Sequence, residues 1–574
     1  MTPLANVSAD YALDALAGFA AANADRVLPV RGGVVRATAS PPAQVAIVTG
    51  GGSGHFPAFA GWVGTGFAHG AACGNVFASP STAQILSVAR AADNGGGVLF
   101  APINYAGDIL NFGAAAERLR GDDVDVRLVP ITDDIASGGA GEHETRRGIA
   151  GSFVVLKVAG AAAERGDTLA EVARIASDAN AATRTLGVAF SGCTLPGAQS
   201  PLFDVPRGRV AIGLGIHGEP GLSEVPLGTA DDVADLVVDR LFAERSPIPG
   251  GAVAVVVNGL GSTKYDELFI VFSRVRVRLE SEGMRLVAPA VGEYVTSLDM
   301  AGLSVSLTYL DDELESLWRA PADAAAFTRG VTQARPARGL AASTAPAAVD
   351  VGSASEASRR AAAAIAAIAE EIGGVLAAES DRLGAIDAVA GDGDHGAGMT
   401  RGSAAAARAA RDAVTAGAGA GTALRAAGEA WADESGGTSG ALWGTGLAEA
   451  AAVVGDVDEP TTATVVAAAE AFARGIRERG GARPGEKTML DAIVPFVDEL
   501  RSAAVPGRSS LGAWRRAAET ADRAAAATAG IVSSRGRSRI HGERSLGTPD
   551  AGATSFALVV SRIGNSDHLG EEGT

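Results

Sequence analysis

Short apolar runs and longer helical stretches alternate through the first half of the chain. Val45-Ala-Ile-Val-Thr49 has the length and β-branched content of a buried strand, and a glycine-rich turn follows it at Gly50–His55. Val98-Leu99-Phe100, Val126–Val129 and Ala252–Val257 repeat the pattern, each with turn residues behind it. Strands alternating with helices predict an α/β sheet that places ligands at the loops after the strand C-termini. From Ala322 to about Ser355 the composition shifts to Ala, Pro, Ser, Thr and Arg without periodicity, as in a linker. The expected domains are therefore 1–325 and 356–574, joined by 326–355. In the second, alanine-rich sequence of helical period predicts an all-α domain. Ile365, Ile368, Ile372, Val375, Leu376 and Leu383 predict one long amphipathic helix running into a turn at Asp387–Gly396. Glycine-rich breaks at 391–398, 436–440 and 481–485 are expected to converge at one end of the helices.

Composition narrows the function classes. The chain has 574 residues, 47% of them apolar and 20% charged, which suits more than one globular domain. A formal net charge of −18 argues against a general nucleic-acid or anionic-membrane binder. Cys73 and Cys193 are too few for a disulfide framework or a thiolate cluster. No signal peptide is read at the N-terminus and no apolar run of membrane length, so a cytoplasmic protein with no membrane partner is expected.

The acidic turn changes the picture most. Asp387, Asp392 and Asp394 crowd three carboxylates into eight residues, with Gly391 and Gly393 letting the backbone fold closely. Oxygen-only ligands of this kind suit Mg²⁺, which also takes oxygens from substrate phosphates. A solvated turn, or an N-cap from Asp394, is the alternative. Two motifs mislead. Gly213-Leu-Gly-Ile-His-Gly218 matches a dinucleotide fingerprint, but Glu219-Pro220-Gly221 follows where a helix should run on. Gly481–Thr488 is a near miss to a phosphate-binding loop, with the wrong spacing and no preceding strand. His55, Asp108 and His217 remain, each in a loop of the first domain with glycine beside it.

These residues carry a resemblance. Gly50-Gly-Gly-Ser-Gly-His55, Asn104-Tyr-Ala-Gly-Asp108, Arg146-Arg-Gly-Ile-Ala-Gly151, Gly215-Ile-His-Gly-Glu-Pro-Gly221 and Thr296–Gly302 resemble the ketone-binding domain of dihydroxyacetone (glycerone) kinases. Asp387–Gly398, Gly436-Gly-Thr-Ser-Gly440, Lys487-Thr-Met-Leu-Asp491 and Gly542–Asp550 resemble the nucleotide-binding domain of the same family, in the family's order. The resemblance implies two α/β subdomains followed by a helical barrel, and an ATP-dependent kinase that uses Mg²⁺ and works as a cytoplasmic homodimer. It implies that His217 adds to the ketone carbonyl, that Asp108 takes the proton from the attacking hydroxyl, and that His55 is its partner. Gly52, Ser53 and Gly54 would line the substrate pocket. Asp387, Asp392 and Asp394 would hold Mg²⁺. His395, Gly396, Ala397, Thr438, Ser439, Gly481, Thr488, Met489, Asp550, Ala551 and Gly552 would contact the nucleotide, the phosphates lying at the start of the helix near Gly396.

The departures from the family carry information. His55-Phe56-Pro57-Ala58-Phe59 stands where His-Glu-Pro-Ala-His is common, and Ile103 stands where Lys is usual. Phe56, Phe59 and Ile103 would make that wall of the pocket apolar, as in the branch acting on four-carbon ketoses. The expected substrate is a tetrulose such as D-erythrulose, with dihydroxyacetone as the alternative. Near the C-terminus, Ser538–His541 and Ala551 also depart. A kinase recharged by a phosphocarrier protein and a non-catalytic ketone sensor are the competing functions. The fusion of both domains favours free ATP, and the retained aspartates argue against a sensor.

Overall fold

In the computed structural model, residues 4–333, 335–336, 338, 352–504, 510–535 and 543–568 are described. The chain divides into two compact units, Met1–Thr344 and Ala345–Thr574.

The first unit is built on two sheets. One has six strands in the order Val27–Val30, Gly33–Arg36, Gly70–Val76, Ala46–Ser53, Val98–Phe100 and Val126–Leu128. Its last four strands run parallel and end at the same edge. The second sheet is mostly antiparallel, in the order Ser223–Pro226, Arg209–Ile212, Thr183–Ala189, Gly302–Leu310, Ala252–Gly259 and Arg285–Leu286, with Ala290–Gly292 also pairing Ala252–Gly259. The helix Ser152–Arg165 is buried from Ser152 through Ala163, as a helix apolar on all sides must be. Phe153 on it stacks on Tyr294 and meets Trp62, Phe67 and Trp318 in one core.

Two expectations change here. The strand expected to end at Thr49 continues through Gly50, Gly51, Gly52 and Ser53. The glycines form strand because neighbours fill the space of their absent side chains. A Cβ on Gly50 would lie 2.3 Å from the Ala72 carbonyl oxygen, and one on Gly51 would lie 2.3 Å from the Phe59 ring. Residues 322–329, expected to open the linker, form a hairpin of Ala322–Ala324 and Phe327–Arg329, and Ala322–Ala324 pairs with Gly64–Thr65. Phe327 holds it in place by packing on Phe67, Phe153 and Trp318. Most of the remaining linker, 339–351, lies outside the described residues, as do Ser538–His541 and Gly542.

In the second unit eight helices close into a ring: Glu356–Ala378, His395–Thr415, Ala420–Ser435, Gly437–Val454, Thr462–Gly480, Leu490–Ala503, Ser510–Ala527 and Ala551–Gly564. Each packs on the next in the chain, and Ala551–Gly564 packs back on Glu356–Ala378. Trp431 stacks on Trp443 inside the ring at 4.8 Å, and Phe472, Phe556 and Phe496 continue the core. The single long helix expected before the acidic turn is two helices, Glu356–Ala378 and Ser380–Asp387, broken at Glu379. The break seats the second helix against the start of the next one, where a Cβ on Gly396 would lie 1.9 Å from the Ser380 carbonyl oxygen. Glu356–Ala378 also corrects the expectation of no membrane-length apolar run, since its length and hydropathy reach those of a span. Alanine supplies much of that hydropathy, and Ala362, Ala366, Ile368, Ile372 and Leu376 are buried within the unit.

Candidate active site

The first unit brings His55 and His217 together from its two sheets. His55 follows the end of Ala46–Ser53, and His217 sits in the turn joining Arg209–Ile212 to the antiparallel strand Ser223–Pro226. No helix follows Gly213–Gly218, so that fingerprint has no structural counterpart. The Leu298 amide donates to the Gly54 carbonyl at 2.8 Å and the Ser297 hydroxyl to the Ile216 carbonyl at 2.5 Å, which locks the three loops together. Both imidazoles are buried.

Their Nε2 atoms lie 2.9 Å apart. Each Nδ1 faces an acceptor, the Thr296 carbonyl oxygen at 2.8 Å for His55 and the Glu219 carboxylate at 3.1 Å for His217. Both Nδ1 atoms therefore carry hydrogen, and two bare Nε2 lone pairs would repel at this distance. A proton on either Nε2 would bridge the two rings as an N–H···N hydrogen bond. Glu219 faces the far side of the His217 ring. Burial opposes ionisation of Glu219, but His217 and then Arg147 hold its carboxyl well below the usual carboxylate range.

The walls around the pair are aromatic. The Phe77 ring stacks on His55 at 4.9 Å, and the Tyr105 ring stands edge-on to His217 at 4.6 Å. Asp108 lies buried in the first turn of the helix Ala106–Gly121, whose N-cap is Tyr105. Gly52 closes against the backbone of Phe77 and Ala78, and the Ser53 hydroxyl donates to the Gly74 carbonyl. Ile103 is buried, packed on Gly148 and bridged to Ile131. Phe59 points under Gly51 and onto Trp62, while Phe56 is 55% exposed with its ring on Phe19. The rings on the histidine pair are thus Phe77 and Tyr105, and the two phenylalanines singled out in the sequence turn elsewhere. Phe77 carries no motif to reveal it. Glu219, two residues from His217, lies inside the Gly215–Gly221 motif, but nothing in that pattern assigns it a role.

In the second unit Asp387, Asp392 and Asp394 bring one carboxylate oxygen each within 4.8 Å of the others. Asp394 occupies the N-cap position of His395–Thr415, yet its side chain makes no cap hydrogen bond. The capping alternative therefore fails. Burial first, and then the Asp387 charge, push the Asp394 carboxyl up to about 7. The Gly393 amide donates to Asp387 at 2.9 Å, and a Cβ on Gly391 would lie 2.3 Å from the Asp387 carboxylate. Clustered oxygen donors with a backbone cradle fit a hard divalent cation.

Two of the expected nucleotide residues, His395 and Asp550, feel the Asp387 charge of this cluster. His395 bonds the Ser555 hydroxyl at 2.9 Å and the Ser439 hydroxyl at 3.3 Å, with Gly396 and Ala397 in the same first helical turn. Thr438 is the second residue of the helix Gly437–Val454. Gly552 packs on Met489, and Asp550 caps its own helix by accepting from the Ala553 amide at 2.7 Å. Burial, and the charges of Asp387 and Asp491, push the Asp550 carboxyl up to about 7. Gly481 ends its helix in the left-handed conformation, and its carbonyl accepts from Arg535. Thr488 donates its amide to Asp491 at 2.7 Å. Lys487, the lysine of the rejected phosphate-loop match, spends its ammonium on the Ile531, Ser545 and Thr548 carbonyls, so it pins two loops together.

A Dak1 domain model matches residues 17–326 and a DAK2 domain model matches residues 389–565. The chain belongs to the dihydroxyacetone kinase family. It is 51% identical to an L-erythrulose 1-kinase of Mycolicibacterium smegmatis, over 99% of this chain and 100% of that one. It is 48% identical to a D-erythrulose kinase of the same species over the full length of both. Among solved structures, the dihydroxyacetone kinase of C. freundii in complex with AMP-PNP and Mg²⁺ covers 99% of this chain and 100% of its own, at 30% identity and a TM-score of 0.53.

Proposed function

We propose that this kinase transfers the terminal phosphate of ATP to a short ketose, preferentially erythrulose, while His217 holds the ketose covalently. The observation that carries the reading is the pair of buried histidines, Nε2 to Nε2, in a chain similar from end to end to erythrulose kinases. His217 Nε2 adds to the ketone carbon, which fixes a small flexible substrate that offers few other contacts. Asp108 takes the proton from the hydroxyl that attacks phosphorus. Asp387, Asp392 and Asp394 hold Mg²⁺, which neutralises charge on the nucleotide phosphates. His395, Ser439 and the amides opening His395–Thr415 orient those phosphates. Cytoplasmic location and a homodimer belong to the same reading, the latter checked by light scattering.

The test is a coupled kinase assay over dihydroxyacetone, D- and L-erythrulose and glyceraldehyde, with ATP and, separately, with phosphoenolpyruvate plus carrier proteins. ATP-dependent turnover of one erythrulose enantiomer above the triose supports the reading. Turnover with the carriers alone would assign the phosphocarrier route, and no turnover of any ketose would leave a sensor.

A further inference from the structure

Glu219 grips His217 at two points. Its Oε2 accepts the His217 backbone amide at 3.0 Å, and its Oε1 accepts the ring Nδ1–H at 3.1 Å. The carboxylate is 3% exposed, and Arg147 stands 3.8 Å behind it. Arg147 in turn is forked onto Asp134 at 3.0 and 2.7 Å and bonds the Gly213 carbonyl at 3.3 Å. Gly215 gives up its side chain to this arrangement, since a Cβ there would lie 2.0 Å from Glu219 Oε2 and 2.6 Å from Arg147 Nη1. A buried ionic chain is costly to assemble and is strongly felt when one member is removed.

We propose that Glu219 is a positioning residue for covalent capture: it fixes the His217 tautomer with Nε2 as nucleophile and carries the counter-charge of the adduct. The proposal rests on the histidine-capture reading above. As Nε2 of His217 bonds to the ketone carbon, the carbonyl π pair moves to oxygen. That oxygen takes the proton bridging the two Nε2 atoms, and His55 is left neutral. The positive charge of the bridged pair ends on the alkylated His217 ring, whose Nδ1–H still points at Glu219. Charge is conserved within the site, and one anion serves both states. His55 and Tyr105 also face the ring, and Arg147, with Asp134 beyond it, stands behind Glu219.

The experiment compares wild type, Glu219→Gln and Glu219→Asp, incubated with erythrulose and followed by intact-protein mass across pH. Charge-assisted hydrogen bonds are about twice as strong as neutral ones, so Glu219→Gln should weaken adduct formation about ten- to hundredfold. Its adduct should also be lost at a lower pH than in wild type, and Glu219→Asp should recover part of both effects. An adduct in Glu219→Gln with wild-type occupancy and pH limit overturns the proposal. If the variants do not fold, ¹⁵N-histidine NMR of the free wild-type protein decides. A hydrogen on His217 Nδ1 is expected, and a neutral tautomer carrying its only hydrogen on Nε2 overturns it. Absence of any wild-type adduct, with turnover intact, would instead refute covalent capture. The NMR result would still show whether Glu219 sets the tautomer.

Discussion

The Nε2 atoms of His55 and His217 face each other at 2.9 Å while both Nδ1 atoms are already committed to acceptors. The nucleophile of the proposed reaction is thus held facing the ring that would supply the ketone oxygen with its proton. His217→Ala should abolish the erythrulose adduct seen by intact-protein mass. Turnover should fall by at least a hundredfold, with residual activity from positioning by the other groups. An adduct that persists in the variant, on another residue, would refute the assignment.

Asp394 holds the N-cap position of His395–Thr415 without a cap hydrogen bond, and the proposed reading gives its carboxylate a cation instead. Asp394→Asn removes one of three crowded carboxylates and no cap hydrogen bond. Turnover with Mg²⁺-ATP should fall on the order of a thousandfold, as when a main electrostatic stabiliser is lost. Without metal, the melting temperature should equal or exceed that of wild type, because the substitution relieves repulsion with Asp387. Adding Mg²⁺ should raise the melting temperature of wild type more than that of the variant.

Gly215→Ala tests the floor under His217 through its backbone neighbour. The new methyl collides with the Glu219 carboxylate and the Arg147 guanidinium, both side-chain ends able to move. Stability should fall by about 1–3 kcal/mol, typical of overpacking. Turnover should fall by more than tenfold, because the displaced carboxylate no longer sets the ring. A stable variant with full activity would show that the ring needs no such support.

Lys157 gives a pH dependence that lies away from both sites. It is buried on Ser152–Arg165 and donates to the Leu317 carbonyl at 2.9 Å. Burial, and then Arg329, lower its amine to about 7. Its folded value lies below the unfolded one, so the unfolded chain binds the extra proton between about pH 7 and 10.5. Stability should rise with pH across that window, by on the order of 2–4 kcal/mol at the first unit. In Lys157→Met this rise should vanish, which melting curves at pH 6.5 and 9.5 would resolve.

For specificity, the structure separates the three apolar departures from the family. Phe56→Glu should leave the ratio of erythrulose to dihydroxyacetone kcat/KM within about threefold, since the ring lies on Phe19 and is half exposed. Phe77→Ala, which strips a ring from both histidines, should change that ratio by about tenfold or more. In wild type the extra carbon unit should favour the tetrulose by roughly ten- to two-hundredfold. A tenfold preference for dihydroxyacetone would refute the tetrulose reading.

Local chemistry settled a large part of this protein. The apolar runs at Val45–Thr49, Val98–Phe100 and Ala252–Val257 marked strands because β-branched residues and the turns behind them act over a few residues. The change to alanine-rich helical period after Glu356 marked the all-helical second half, and the three aspartates around Gly391 and Gly393 marked a candidate cation site, which the family resemblance set apart from a solvated turn. What lay beyond sequence was everything that depends on distant segments meeting. Gly50–Gly52 is strand because Ala72, Phe59 and Phe77 fill the missing side-chain space. Residues 322–329 are hairpin because Phe67 and Trp318 receive Phe327. The helix before the acidic turn breaks because Ser380 must touch Gly396. Phe56 and Phe77 look equally apolar along the chain, and only the fold decides which ring reaches His217. The 2.9 Å approach of the His55 and His217 Nε2 atoms, 162 residues apart, likewise follows from two sheets closing on each other. Hydrogen bonds of that kind are set by tertiary distance, to which the periodicity of a single segment is blind.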